Sequence, residues 1–386
     1  MKAIRNILLI FFRELKLIGE DHSLLLTLLI APLLYVFFYG SIYSFKEEEK
    51  VKLAVVDDDQ SSLSRLLMQQ INNLQLVDIL IVPSVDRAQH EMYEGVCQGY
   101  LYIDKGLEQK VLSLQQGNVV LAVNAGRFLP SSDLIASVTK ICLAVSAGVR
   151  MQYFEMKGLT EQNSLRRAMP VNLDYRPMFN DRSSYGAFLL PGLLMLILQQ
   201  TLLLGLAESV AAERMKKTLG GWFSVTDGNI FYGIIGKGLF YFFLFSCYAL
   251  FVLTINFSVL HLPLTGSLWA LAFIMMVFLL TLIPMAMWIG SFFKSQILCL
   301  QIMAFSSYPI FLITGYSWPF SMLPVFIRVI SSLLPTSPFM RVYISVTQQG
   351  GTLMDNVATV FHMLALMILF TGLSFHRFRW LAGRLS

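Results

Sequence analysis

Long apolar runs alternate with short polar breaks along most of this chain, and one long stretch of ordinary polarity interrupts them. A helix needs about 20 mostly apolar residues to cross a hydrocarbon core about 30 Å thick. Six runs meet that need, at 23–44, 186–207, 230–256, 267–290, 297–315 and 357–375. They predict six transmembrane helices. Ahead of them, Ile4, Ile7, Leu8, Phe11, Leu15 and Ile18 fall on one side of a helix, with Lys2, Arg5, Asn6, Arg13 and Lys16 on the other. Arg13, Glu14 and Lys16 break the apolar run too early for a signal peptide, and no small-residue cleavage site follows. The pattern predicts an amphipathic interfacial helix lying on the membrane.

Residues 46–182 follow a different rhythm. VKLAVV (51–56) ends in Asp57, Asp58 and Asp59 and leads into SSLSRLLMQQI (61–71), a strand running into a capped helix. LQLVDILIV (74–82), GYLYI (99–103), KVLSL (110–114) and NVVLAV (118–123) predict further strands. VDRAQHEMYEGV (85–96) predicts a helix, and Asp133–Phe154 a long one with an apolar stripe. The expected fold is therefore an α-helical membrane protein: six transmembrane helices, an N-terminal interfacial helix and an inserted extracytoplasmic α/β domain. The expected divisions are 1–20 for the interfacial helix, 21–45 for the first span, 46–182 for the α/β domain and 183–386 for spans two to six. Within the last, 208–229 forms a cytoplasmic loop and 316–345 an outer re-entrant segment.

Composition agrees: 56% of residues are hydrophobic and 14% charged, and the mean hydropathy is +0.63. That excludes an ordinary soluble domain. The cations set the orientation. Lys2, Arg5, Arg13, Lys16, Arg214, Lys216, Lys217, Lys237, Lys294, Arg377, Arg379 and Arg384 fall on one side, against Arg328 and Arg341 in the opposite loops. Both termini are expected in the cytoplasm and the α/β domain outside. The net charge of +5 then reflects topology, and no nucleic acid is expected as a partner.

Candidate chemistry is sparse. The three aspartates could meet a hard cation, but a helix start favours negative charge there anyway. The five histidines show no ligand spacing, so no metal site is expected. Cys97 and Cys142 both fall in the outer domain and could pair in an oxidising compartment. Burial as free thiols is the alternative. No G-x-x-x-x-G-K-[ST] occurs, and GIIGKG (233–238) lacks both the leading glycine and the final hydroxyl. The chain is therefore expected to bind no cofactor of its own and to catalyse nothing. Its spans hold few ionisable residues of the sort that gradient-driven carriers need, which points to energy supplied by another protein.

Three stretches carry a family resemblance. RPMFNDRSSYGAFLLPGLLMLI resembles a signature of the type 2 ABC-exporter permeases with a large outer domain, in which an Asn precedes a Tyr, a Phe and an in-helix Pro-Gly. The matching residues are Asn180, Tyr185, Phe188, Pro191 and Gly192, with Asp181 where the family usually has Pro. ESVAAERMKKTLGGWF (208–223) is similar to the family's cytoplasmic segment through Glu213, Arg214, Thr218, Leu219, Trp222 and Phe223, followed by Gly236 and Lys237. Lys217, Gly220 and Thr226 depart from the family's usual choices. ITGYSWPFSMLPVFIRVISSLLPTSPFM resembles its outer segment at Gly315, Pro319, Pro324 and Pro335. Those prolines also forbid one continuous helix, whatever the family.

The resemblance implies the membrane-spanning permease of an ATP-driven exporter in the bacterial inner membrane. Two permeases, identical or paralogous, would pair above two separate ABC ATPases, which supply ATP and Mg. Glu213, Arg214, Thr218, Leu219, Trp222, Phe223 and Lys237 would form the ATPase-coupling loop. Trp222 and Phe223 would serve as apolar anchors, and Glu213 with Lys217 as a stiffening i, i+4 pair. The outer domain would hand cargo outward or dock a periplasmic adaptor. Spans rich in Met and Phe suit a hydrophobic drug or lipid. A membrane sensor or scaffold without transport is the rival class.

Overall fold

A computed structural model describes residues 2–42, 50–113, 115–171, 178–179, 185–226, 228–259 and 264–383. Seven helices among them are long and apolar enough to cross a membrane. Six fall on the expected runs: His22–Ile42, Gly186–Met215, Ile230–Val259, Leu268–Gly290, Gln296–Ile313 and Val357–Ala382. The seventh, Phe128–Met156, lies in the stretch expected as an outer domain. The chain divides into two compact units, Phe45–Arg176 and the remainder.

The chain opens with α1 (Lys2–Glu20), and a span follows as α2 (His22–Leu25) and α3 (Ala31–Ile42), joined by a wider turn at Leu26–Ile30. Pro32 has no N–H to give, and the helical ladder loosens in the turn it would have bonded. Asp21 starts the span by accepting hydrogen bonds from the N–H groups of Ser23 and Leu24.

The unit Phe45–Arg176 runs β1 (Val51–Asp57), α4 (Ser62–Asn72), β2 (Val77–Ile81), α5 (Val85–Tyr93), β3 (Gly99–Ile103), α6 (Leu107–Leu112), β4 (Val119–Val123), α7 (Phe128–Met156) and α8 (Glu161–Ala168). The sheet order is β2-β1-β3-β4, with β1 parallel to β2 and β3 and with β4 antiparallel to β3. Alternation along β1 and β3 separates two cores. Leu53, Val55, Leu101 and Ile103 meet α4 and α7 through Leu67, Ile71, Leu134 and Val138. Ala54 and Val56 meet Ala88 and Cys97 on the other face. Cys142 belongs to the first core, so the sheet separates it from Cys97, and both thiols are free.

KVLSL, expected as a strand, instead falls largely in α6. Gly106 takes a left-handed conformation (φ 81°) at the start of that helix, and Asp59 accepts hydrogen bonds from the N–H groups of Gly106 at 2.7 Å and Glu108 at 3.1 Å. Asp57 does similar work for α4, accepting from the Gln60 N–H at 3.0 Å and the Ser64 hydroxyl at 2.8 Å. Two of the three clustered aspartates are thus spent on helix starts. Burial pushes the Asp59 carboxyl up, but hydrogen bonds from Ser61 and the α6 backbone outweigh it and hold the group below its ordinary 3.8. A depressed carboxylate stabilises the fold above its unfolded pKa and loses that contribution as pH falls through the folded value. Asp59→Ala should cost this unit about 1 kcal/mol at neutral pH and flatten its acid sensitivity below pH about 4, read by thermal unfolding of the full chain across pH.

The other unit continues with α9 (Tyr185–Met215), α10 (Leu219–Val225), α11 (Ile230–Thr254), α12 (Leu268–Gly290), α13 (Gln296–Ile313), α14 (Val325–Ser332), α15 (Thr336–Thr347) and α16 (Val357–Ala382). α9 and α12 form its centre, meeting where Gly290 lies flat on the backbone of Ala207. A side chain at 290 would overlap that backbone, so small residues set the helix separation. Pro324 and Pro335 precede α14 and α15 and start two short helices where one was forbidden. α15 is buried, with Phe339 stacked on Phe278 at 3.8 Å between ring centroids. The Thr336 hydroxyl bonds Gln199 of α9, and Ser331 ties α14 to the carbonyl of Ile313.

Candidate functional site: a buried charge cluster behind a short helix

At one end of this bundle five elements converge: α1, the start of the first span, the α9–α10 turn, α11 and the α12–α13 turn. Their centre is Lys237, about two turns into α11 and fully buried. Its ammonium lies 2.7 Å from Glu14, 2.8 Å from the Ser209 hydroxyl and 3.5 Å from Glu213, with the Tyr241 ring 6.0 Å away. Arg13 supplies a second cation to Glu213. Burial pushes the Glu14 carboxyl above its ordinary value; Lys237 opposes this, while the neighbouring Glu213 adds to it.

Gly236 explains how α1 comes close enough. A Cβ there would sit 2.8 Å from the Ile10 Cβ and 2.9 Å from the Ile7 carbonyl oxygen. Glycine lets α1 lie on α11, and the next residue reaches its acid. The face of α1 that packs inward is Asn6, Ile10, Glu14 and Ile18, all buried. Ile4, Leu8, Phe12 and Leu15 stay exposed, Ile4 at 65% and Phe12 at 61%. Of the expected apolar stripe, Ile4, Leu8 and Leu15 are exposed, Ile7 and Phe11 half-buried and Ile18 buried, and a mixed stripe holds the helix to the protein.

A second layer braces the cluster. The Gln296 amide donates to Glu208 at 2.9 Å, and the Ser23 hydroxyl also bonds Glu208. Lys216 pairs with Asp21 at 3.1 Å. Burial raises the Asp21 carboxyl, but hydrogen bonds from Lys216, the Leu24 N–H and Gln296 hold it below its ordinary value. Arg214 donates to the carbonyls of Ser291 and Phe293 just past the C-terminus of α12, where a cation meets the negative end of the helix dipole. Arg377 joins it from α16, bonding the Ser291 hydroxyl at 3.2 Å.

Several expected coupling residues thus face inward. Glu213, Leu219 and Lys237 are buried, and Arg214 is committed to α12. Glu213 makes no pair with Lys217, because α9 ends at Met215 and Lys217 turns the chain with φ 57°. Thr218, Gly221 and Ser224 are exposed. Trp222 and Phe223 have their backbone in α10, and their side chains lie outside the described residues.

Two of the expected structural motifs, Pro191-Gly192 and Gly315, meet elsewhere in the bundle. Tyr316, next to Gly315, lays its ring on Gly192, stacks on Phe188 at 5.6 Å between centroids and donates its hydroxyl to the Phe188 carbonyl. Pro191 lies within α9 beside this contact. Gly315 has φ 86°, a conformation favouring glycine, and turns the chain out of α13 towards Pro319. Asn180 lies outside the described residues, as does the side chain of Tyr185.

Glu14, Arg13, Ser209, Glu208, Tyr241 and Gln296 were absent from the expected site. A lone lysine in an apolar run is a signal that a carboxylate must come to it, and Glu14 is the carboxylate that interrupts the apolar run of α1.

Comparison with known proteins points one way. Residues 22–375 match the family described as ABC-2 family transporter protein. The chain is 20% identical over 373 residues to the probable multidrug ABC transporter permease YbhS of Escherichia coli (strain K12), covering 96% of both chains. The protein of that name in Escherichia coli O157:H7 matches equally.

Proposed function

The chain belongs to the ABC-2 transporter family, and on that ground we propose that it is the permease of an ATP-driven exporter in a bacterial inner membrane, powered by separate ABC ATPase subunits. Two permeases pair in the working complex, and this chain is its non-catalytic part. The relative's name, a probable multidrug permease, favours a hydrophobic drug- or lipid-like cargo.

One observation carries the coupling. α10 touches both α1 and α11, and Leu219 at its start is buried beside the cluster that binds α1, α9 and α11 together. A push on α10 by an ATPase therefore reaches three helices at once. Seven residues make α10 too short to stand alone, so that anchoring is what makes it a lever.

We read six spans. α7 qualifies by length and apolarity, yet Leu134 and Val138 in its first half are in the sheet's core. A seventh crossing would also put the termini on opposite sides, against the cation count. The α/β unit then lies outside the membrane, suited to handing on cargo or docking an adaptor.

Trp222→Ala with Phe223→Ala tests the lever. The permease should reach the membrane at normal levels, while ATP-driven export in vesicles falls about tenfold or more, the loss expected of interface anchors. Export at the normal rate would remove α10 from the coupling path, and failure to copurify any ATPase would return the chain to the scaffold class.

A further inference from the structure

The α/β unit holds a cavity of about 760 Å³ between its sheet, α4, α6 and α7. That is within the range of pockets that bury small ligands, roughly 300–1,000 Å³. Its floor is apolar: Leu67, Leu101, Leu121 and Val138 line it, and Val145 and Val149 continue the wall along α7. Leu101 is fully buried, whereas Leu121, its direct partner on β4, is only half-buried. The core of this unit is thus complete over β3 and open over β4. A void there forfeits packing contacts in proportion to its size, and an apolar occupant restores them.

Charge is placed at one end. Arg150 lines the cavity, has no ion-pair partner among the described residues, and none of the lining residues is acidic. From Val138 to Arg150, α7 rises about 18 Å, at 1.5 Å per residue. The cavity is therefore long, greasy along its length and cationic at one end.

We propose that this cavity binds one anionic amphiphile, its alkyl chain lying between β4 and α7 and its acidic head on Arg150. The site needs only the folded α/β unit and stands independently of the transport reading.

The test is photolabelling of the full chain in bilayer discs with a diazirine-bearing palmitate, followed by peptide mapping. Label should appear in 107–121 and 138–154. Unlabelled alkyl carboxylates should compete, gaining about fourfold in affinity per methylene until the cavity is full. Leu121→Trp should abolish this labelling, as should Ser146→Trp, which fills the cleft from an exposed position on α7 and so remains informative if the strand variant fails to fold. Arg150→Gln should erase the preference for the acid over its methyl ester, and Arg150→Lys should retain it. Label confined to the spans would overturn the proposal. So would label at 138–154 undiminished by either Trp variant, equal competition by acid and ester in the unaltered protein, or cross-links between two copies through α7 in place of probe.

Discussion

Lys237→Met should destabilise the protein by about 3–5 kcal/mol, the cost of leaving buried charge without its partner. Methionine fills a similar volume, so the loss is electrostatic. Glu14 would keep its desolvation and the repulsion of Glu213 but lose the cation 2.7 Å away. Glu213 would keep Arg13, whose guanidinium also stands 3.5 Å from Glu14. Release of α1 from α11 should follow, read as protease cleavage within 2–20 and a lower midpoint in thermal unfolding. The pH dependence has a definite sign. A carboxyl whose folded pKa is raised stabilises the fold at low pH and loses that contribution as pH rises through the folded value. The variant should therefore recover stability on acidification, as Glu14 takes up a proton, and over a higher pH range than the unaltered protein, where Lys237 opposes the rise. Glu14→Gln combined with Lys237→Met removes both charges and should restore most of the stability, since a buried pair replaced by neutral groups is often close to neutral overall. A double variant no better than Lys237→Met would show that the two residues do not act as a pair.

Much of this architecture was legible because a bilayer imposes length: the six expected runs reappear as helices, two of them extended past the apolar run to Met215 and Ala382. Most strand and helix starts in the α/β unit followed from alternation and capping; α7 begins earlier than expected, α8 was not foreseen, and at KVLSL a distant Asp59 supplied the cap. Such a partner, 47 residues away, leaves no local trace. α1 shows the same limit. Periodicity finds an apolar face, but Ile4, Leu8 and Leu15 on it stay exposed, while Asn6 and Glu14 pack inward, Glu14 because α11 offers Lys237. The Glu213–Lys217 pair failed because the chain leaves the helix at Lys217. Motif residues lie in the expected stretches, yet the family pattern does not say which way they face: Glu213 and Lys237, expected on a coupling surface, are buried.

The Pro-Gly motif and its Tyr316 partner make the same point in a form that can be measured. Gly192→Ala should destabilise the bundle by about 1–3 kcal/mol, the usual cost of overpacking, because its Cβ would overlap the Tyr316 ring. The ring has little room to retreat. Its hydroxyl is bonded to the Phe188 carbonyl, its face is stacked on Phe188, and Phe311 lies 6.2 Å away between centroids. Tyr316→Val alone should also destabilise, by leaving a cavity where the ring was. Together the two changes should cost less than their sum, since valine vacates the space that alanine needs. That coupling, measured by thermal unfolding of all four proteins, is the signature of contact. Simple additivity would mean that Pro191-Gly192 and Gly315 serve separate ends. Coupling would make them two halves of one joint, with Gly192 kept small so that the turn after α13 can lock onto α9, the helix that carries Glu208, Ser209 and Glu213 at its other end.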